Sequence, residues 1–212
     1  SGMNLKAEGV DDNRISFVGN IMIDTLESNR EKANSVSLQS IVKNNLLFEK
    51  GIERLNGNFA LVTMHRPSNV DKKEVLKTIV EFLTNEVVKD MKIIWPIHPR
   101  TQNRLEEFGL MKDVQNNPNV LLLYPIGYIE MLRLNMLANI ILTDSGGLQE
   151  ESCVLGTPCL TLRWNTERPI TLRQNGGASV LVGNSIDLIR EEYQKTLRLD
   201  RSPKRPELWD GM

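Results

Sequence analysis

The sequence predicts an α/β fold, a Rossmann-like parallel sheet sandwiched by helices. Three observations carry this. Six short segments are apolar nearly throughout and rich in strand formers, segments with helical spacing lie between them, and the two kinds alternate along the chain. A strand that is apolar on both of its faces has to be covered on both. Neighbouring parallel strands need a crossover, and helices supply it.

The elements follow in order. Residues 1–2, Ser-Gly ahead of Met3, read as a tag remnant. Ile15–Val18 is a short apolar stretch, Gly19-Asn20 breaks the chain, and Asp24–Asn29 is helix-like. The first strong strand is Phe59–Met64. Val70–Asp90 then carries apolar residues at 75, 76, 79, 80, 83, 87 and 88, one helical stripe. Asp71 is expected to cap its start, with Glu74 three residues on as in a capping box. Ile93–Ile97 and Val120–Tyr124 are the next strands, with Thr101–Phe108 a short helix between them. Tyr128–Leu137 is a helix and Ile140–Thr143 a strand. Leu148–Leu155 follows a Gly-Gly pair and is expected to stop at Gly156. Cys159–Leu162 and Ser179–Val182 complete the strands, and Ile186–Leu199 is the last helix. Residues 200–212 are polar with two prolines, and both ends of the chain read as edges of a larger assembly.

Bulk properties narrow the function classes. The 212 residues suit one domain or at most two. A net charge of −1 implies no basic surface, so no nucleic-acid partner is expected. No apolar run approaches the ~20 residues of a membrane span, no signal peptide is visible, and no membrane partner is expected. Cys153 and Cys159 lack metal-ligand spacing and read as free buried thiols of a reducing, cytoplasmic compartment. With only two histidines, ligands for a zinc site are scarce, and no metal is expected.

In open α/β sheets, ligands sit beyond the carboxyl ends of the strands. Four loops lie there: Thr63 to Asn69 (TMHRPSN), Pro96 to Thr101 (PIHPRT), Asp144 to Glu151 (DSGGLQEE) and Arg163 to Pro169 (RWNTERP). They hold both histidines, His65 and His98, and the arginines Arg66, Arg100, Arg163 and Arg168. Ser145-Gly146-Gly147 at a helix start leaves backbone N–H groups free and lets a phosphate approach closely. No lysine follows at P-loop spacing. Glu151, one turn on, is placed to accept both hydroxyls of a ribose. Phosphate plus ribose means a nucleotide. Taken alone, Asp-Ser-Gly-Gly is equally well explained by a tight turn and a helix cap.

The plainer readings stand beside these. Glu150 reads as a solvated acid and Glu167 as a partner of Arg168. Asp144 reads as a turn and cap residue, Arg100 as a tie between loops, Trp95 and Trp164 as packing groups, and Cys153 as core.

Together the motifs are more specific. TMHRPSNV (63–70), PIHPRT (96–101), YPIGY (124–128), LTDSGGLQEE (142–151) and GTPCLTLRWNTERP (156–169) occur in that order. With them, the chain resembles the non-hydrolysing UDP-N-acetylglucosamine 2-epimerases from about residue 3 to residue 211. That resemblance implies the second half of a GT-B architecture. Residues 3–30 would be the inter-domain crossover, 31–199 a Rossmann-like UDP-binding domain, and 200–212 the start of a truncated crossover helix. The first domain, with its catalytic carboxylates, would be absent, and the fragment inactive alone. Full-length relatives are expected to be homodimers.

The implied reaction interconverts UDP-GlcNAc and UDP-ManNAc through anti elimination of UDP, with no cofactor. The implied ligands are UDP and a UDP-N-acetylhexosamine. By motif, Ser145, Gly146 and Gly147 would hold the diphosphate and Glu151 the ribose. Thr166 and Arg168 would make a further phosphate contact, and Tyr128 and Met131 would flank the uracil. His65 matches a catalytic histidine near the leaving diphosphate. Arg66 and His98, with Arg100 beside them, match a second, regulatory UDP-GlcNAc site or the cleft. HRPSN lacks the Glu of the HRREN form, which weakens the carry-over of regulation. The alternatives are a stand-alone UDP-binding or decayed fragment, or an epimerase acting on a UDP-2,3-diacetamido sugar.

Overall fold

A computed structural model describes residues 2–16, 18–49, 55, 58–207 and 209. Among the described residues six strands form one sheet: β1 (Phe59–Thr63), β2 (Lys92–Pro96), β3 (Val120–Leu123), β4 (Ile140–Thr143), β5 (Cys159–Thr161) and β6 (Ser179–Leu181). Their order is β3-β2-β1-β4-β5-β6 and every pairing is parallel. This is the doubly wound α/β arrangement, and the predicted fold class holds. Each predicted strand is present. Five of them end one residue early, because Met64, Ile97, Tyr124, Leu162 and Val182 are the first residues of the exit loops. Ile97, Leu162 and Val182 still donate their N–H groups to a neighbouring strand.

The helices are α1 (Gly2–Ala7), α2 (Ile21–Asn34), α3 (Leu38–Asn45), α4 (Pro67–Val70), α5 (Lys73–Phe82), α6 (Val88–Asp90), α7 (Pro99–Glu107), α8 (Met111–Asn116), α9 (Tyr128–Leu137), α10 (Gly146–Leu155) and α11 (Ile186–Thr196). Alternation along the strands fills two core layers. Ala60 and Val62 of β1 face the side covered by α5, α7, α8 and α11, through Leu76, Ile79, Leu105, Val114, Ile189 and Tyr193. Phe59 and Leu61 face α3 and α9, through Leu38, Ile41, Val42 and Leu134. Outside this second layer, α2 packs Ile23, Leu26 and Ala33 against α9 and α10, with Trp209 in the same cluster. The helix read as Asp24–Asn29 is therefore a longer element that belongs to the folded body. Trp95 and Cys153 are core, as read; Trp164 is 65% exposed but lays its ring over Gly183, where a Cβ would come within 2.5 Å of it. Both cysteines are free and buried.

Two readings change. Asp71 and Glu74 form no capping box. Pro67 starts a helix a turn earlier, where its fixed φ is preorganised. Asp71 closes that helix, and its carboxylate is taken by Arg100 and Arg104. Two guanidiniums outcompete a backbone N–H for it, and Lys72 precedes α5 without a side-chain cap. The single helix read over 70–90 is also divided, with a π-helical stretch at Leu83–Val87. Helices α1, α3 and α8 have no counterpart in the sequence reading. The start of α3 has a local signal, since the Ser37 hydroxyl accepts from the Ser40 N–H. Ser1, Leu208 and residues 210–212, on which the tag and part of the tail reading fall, lie outside the described residues. No described helix is long and apolar enough to cross a membrane.

Gly156 ends α10 in the left-handed region, at φ 72°, as the sequence suggests. The stop is also a docking point. A Cβ there would lie 2.3 Å from the Pro203 nitrogen. The Lys204 N–H bonds the Cys153 carbonyl, and Arg201 donates to the carbonyls of Asn135 and Ala138. Gly156→Ala therefore meets both a strained φ and a backbone collision. The expected cost is about 2 kcal/mol, read as a lower midpoint in urea unfolding.

Candidate functional site

Strands β1 and β4 lie side by side at the point where the strand order reverses, so their exit loops face each other across a crevice. Asp144, fully buried, joins them. Its carboxylate accepts from the backbone N–H groups of His65 and Arg66 and from Asn69 Nδ2, at 2.9–3.2 Å. His65 Nδ1 is 3.2 Å from the same carboxylate. The N-cap of α10 is Ser145, so Asp144 is not its cap; it anchors the HRPSN loop. Asn69, 1% exposed, carries the tie on to the Leu162 carbonyl at the exit of β5. The Arg66 side chain is occupied too, since its Nε donates to the Asp144 carbonyl.

A cavity of about 260 Å³ opens beyond these loops. His65, His98, Met131 and Ser145 line it, with Pro96, Pro125 and Leu148 among the apolar walls. The two imidazoles are 5.2 Å apart between centroids. His98 precedes α7, and its Nδ1 accepts from the Arg100 N–H. Arg100 is not among the lining residues. Its guanidinium pairs with Asp71, the loop-tying role read beside the site role.

The start of α10 forms the far wall. Ser145 precedes it without using its hydroxyl as a cap, so that hydroxyl stays available to a ligand. The first N–H groups of any helix lack intrahelical partners and carry the positive end of its dipole. Arg168 strengthens that field. Its Nη1 and Cζ lie 2.5 and 3.0 Å from where a Cβ on Gly146 would be, so only glycine leaves the guanidinium this close to the helix start. The Thr166 hydroxyl is engaged twice, donating to Gln149 Oε1 and accepting from the Arg168 N–H. It positions the loop that carries Arg168.

Glu151 lies on α10, 4% exposed, against Tyr128 and Asn135 of α9. Burial pushes its carboxyl up to about 7, opposed by the nearby Asn135 amide and Tyr128 phenol and assisted by the Glu150 charge. Tyr128 is itself pushed well above the usual phenol range, by burial and by the Glu151 carboxylate. Glu150 is not solvated; it is 8% exposed, and its partners are Arg168 and Asn20. Glu167 is exposed and pairs with Arg163 at 2.7 Å more closely than with Arg168 at 3.5 Å.

The structure brings His65, His98, Met131 and Ser145 around one cavity, whereas Tyr128, Gly146, Gly147, Glu151, Thr166 and Arg168 are not among its lining residues. Asn69, Asn135 and Asn20 were missed as site residues. Asn135 had a signal, lying seven residues after Tyr128 and so on the same face of α9. Asn69 and Asn20 sit inside quoted motifs, but nothing local says that their side chains reach across the sheet.

The arrangement defines a class: a Rossmann-like α/β domain with a ligand crevice at its switch point, a glycine-lined helix start and a buried carboxylate. The family described as UDP-N-acetylglucosamine 2-epimerase matches residues 1–211. The UDP-N-acetylglucosamine 2-epimerase of Methanocaldococcus jannaschii is 39% identical over 204 residues, 96% of this chain and 53% of its own length. A crystal structure of that enzyme in complex with UDP-GlcNAc and UDP matches with a TM-score of 0.80 at 39% identity, over 96% of this chain and 54% of its own. The UDP-2,3-diacetamido-2,3-dideoxy-D-glucuronate 2-epimerase of Pseudomonas aeruginosa is 34% identical over 84% of this chain and 50% of its own length. The chain belongs to the UDP-N-acetylglucosamine 2-epimerase family. It spans about half the length of the curated relatives it matches.

Two measurements check this geometry. Asp144→Ala leaves the His65 and Arg66 N–H groups and Asn69 Nδ2 without their acceptor, and should cost about 3 kcal/mol in denaturant unfolding. Glu151 has its carboxyl raised in the folded state, so its ionisation opposes folding. Its contribution is most favourable below about 4.5 and declines as pH rises to about 7, by an amount on the order of 3 kcal/mol. Stability curves against pH should flatten over this window in Glu151→Gln.

Proposed function

We propose that this chain is the UDP-binding half of a two-domain enzyme that interconverts UDP-GlcNAc and UDP-ManNAc. UDP leaves C1 as the C2 proton is removed, giving 2-acetamidoglucal, and adds back with the opposite configuration at C2. The observation that carries this reading is Arg168 held over Gly146 at the start of α10, with the buried Glu151 carboxyl a turn away. Breaking the bond to the sugar places negative charge on the diphosphate, and a helix start with a guanidinium meets that charge.

In this reading Ser145, Gly146, Gly147 and Arg168 hold the diphosphate and Glu151 accepts from the ribose hydroxyls. Thr166 supports Arg168, and Tyr128 and Met131 flank the base. His65 faces the leaving group, its ring fixed by Asp144 at Nδ1. Arg66 and His98 border the same cleft. The carboxylates that work at C2 lie in the other domain, so this chain alone should show no turnover. Residues 3–30 and 200–212 serve as the two crossovers, 31–199 as the UDP-binding domain, and the whole enzyme as a cytoplasmic homodimer. UDP-GlcNAc, the ligand of the M. jannaschii crystal structure, is the favoured substrate.

Calorimetric titration with UDP tests the assignment. The chain should bind UDP, and Ser145→Ala should weaken binding severalfold. Glu151→Ala should weaken it tenfold or more, and Gly146→Ala comparably, by driving Arg168 off the helix start. A well-folded chain that binds no UDP, or variants that bind it as the parent does, would sink the reading.

A further inference from the structure

Resting on that reading and going beyond it, we propose that Glu150 is a positioning residue. It holds Arg168 over the start of α10 and, through Asn20, couples an anion bound there to the start of α2.

Three contacts carry this. Glu150 Oε1 accepts from Asn20 Nδ2 at 3.0 Å. Glu150 Oε2 lies 3.0 Å from Arg168 Nε, and neither of these buried atoms has an aligned hydrogen-bond partner, so charge rather than geometry holds the pair. Arg168 Nη1 and Nη2 lie 2.5 and 3.5 Å from the Cβ position of Gly146. The carboxylate therefore takes the Nε edge of the guanidinium and leaves its outer edge toward the helix start.

Asn20 does two jobs at once. Its Oδ1 accepts from the Met22 N–H and caps α2, while its Nδ2 reaches Glu150. Gly19 before it sits at φ 89°, a conformation only glycine adopts freely. The first turns of the two helices meet there, since a Cβ on Gly147 would be 3.7 Å from Met22 Cε. A buried carboxylate needs its partners. When an anion on the helix start draws on Arg168, Glu150 depends more on Asn20, and the α2 cap tightens. Coupling of this kind is reciprocal: fixing the start of α2 favours the anion.

The test uses the whole 212-residue chain, with UDP and with uridine, which lacks the phosphates. Glu150→Gln keeps the shape and the Asn20 contact but removes the charge that holds Arg168. It should weaken UDP about tenfold, leave uridine unchanged, and add nothing in an Arg168→Ala background. UDP should slow hydrogen exchange at the amides of residues 22–25, and Asn20→Ala should lose that protection under UDP saturation. Thermal melts confirm that each variant folds. Additive losses, an equal loss for uridine, or unchanged exchange at α2 would overturn the proposal. If Arg168→Ala binds UDP as the parent does, or the parent binds none, the diphosphate reading itself fails and the proposal falls with it.

Discussion

The site depends on the buried carboxylate of Asp144. A carboxylate in the interior demands donors, and here backbone supplies two of them, from His65 and Arg66, with Asn69 supplying a third. These groups lie at the exit of β1, while Asp144 lies at the exit of β4. Parallel pairing of Thr63 with Thr143 brings the two exits level, and their hydroxyls bond to each other at 2.7 Å. The loops that carry His65 and Ser145 are therefore tied to each other. Asn69 extends the tie to β5, whose exit leads to Arg168.

The cost of this design shows in α10. Gln149, Glu150, Glu151 and Ser152 are all buried polar residues, in a helix where a purely structural sequence would place apolar ones. Each buried polar group costs stability unless it is partnered. Gln149 accepts from Thr166 and Glu150 pairs with Arg168, so the helix is bound to the loop that follows β5. A polar helix interior of this kind is the local contradiction expected at a functional site.

Much of this was legible in the sequence, and the reasons are specific. VLLLY and IILT are short, apolar on both faces and bounded by turns, which leaves little besides a covered parallel strand. Gly156 announced the end of α10 because its left-handed φ is one that glycine takes without penalty. The start of α10 was legible as a helix start because Ser145-Gly146-Gly147 closes the apolar run of β4 and a helical pattern follows at once. What the sequence hid were the partners of charged side chains. Asp71 satisfies every local rule for a helix cap, yet two arginines, 29 and 33 residues away in the chain, take its carboxylate. Glu150 looks like a surface acid until Asn20, 130 residues earlier, is folded against it. Long-range electrostatic pairing leaves no periodic trace in a sequence.

The adjacent acids at 150 and 151 show how the fold gives neighbours different work. Successive residues on a helix point about 100° apart. One carboxylate faces Arg168 and α2, where a guanidinium and an amide stabilise its charge. The next faces α9, where a phenol and a carboxamide offer hydrogen bonds but no cation, and burial raises it to about 7. Glu150 has its charge met on both sides, by Arg168 and Asn20. Glu151 is left with a charge that the protein only half satisfies, and a pair of ligand hydroxyls would satisfy the rest. A buried carboxyl raised in this way is costly to the free protein. In the proposed reading, Asp-Ser-Gly-Gly followed at once by Glu-Glu is one device: an anion seat, the acid that steadies its arginine, and the acid that receives the sugar beside it.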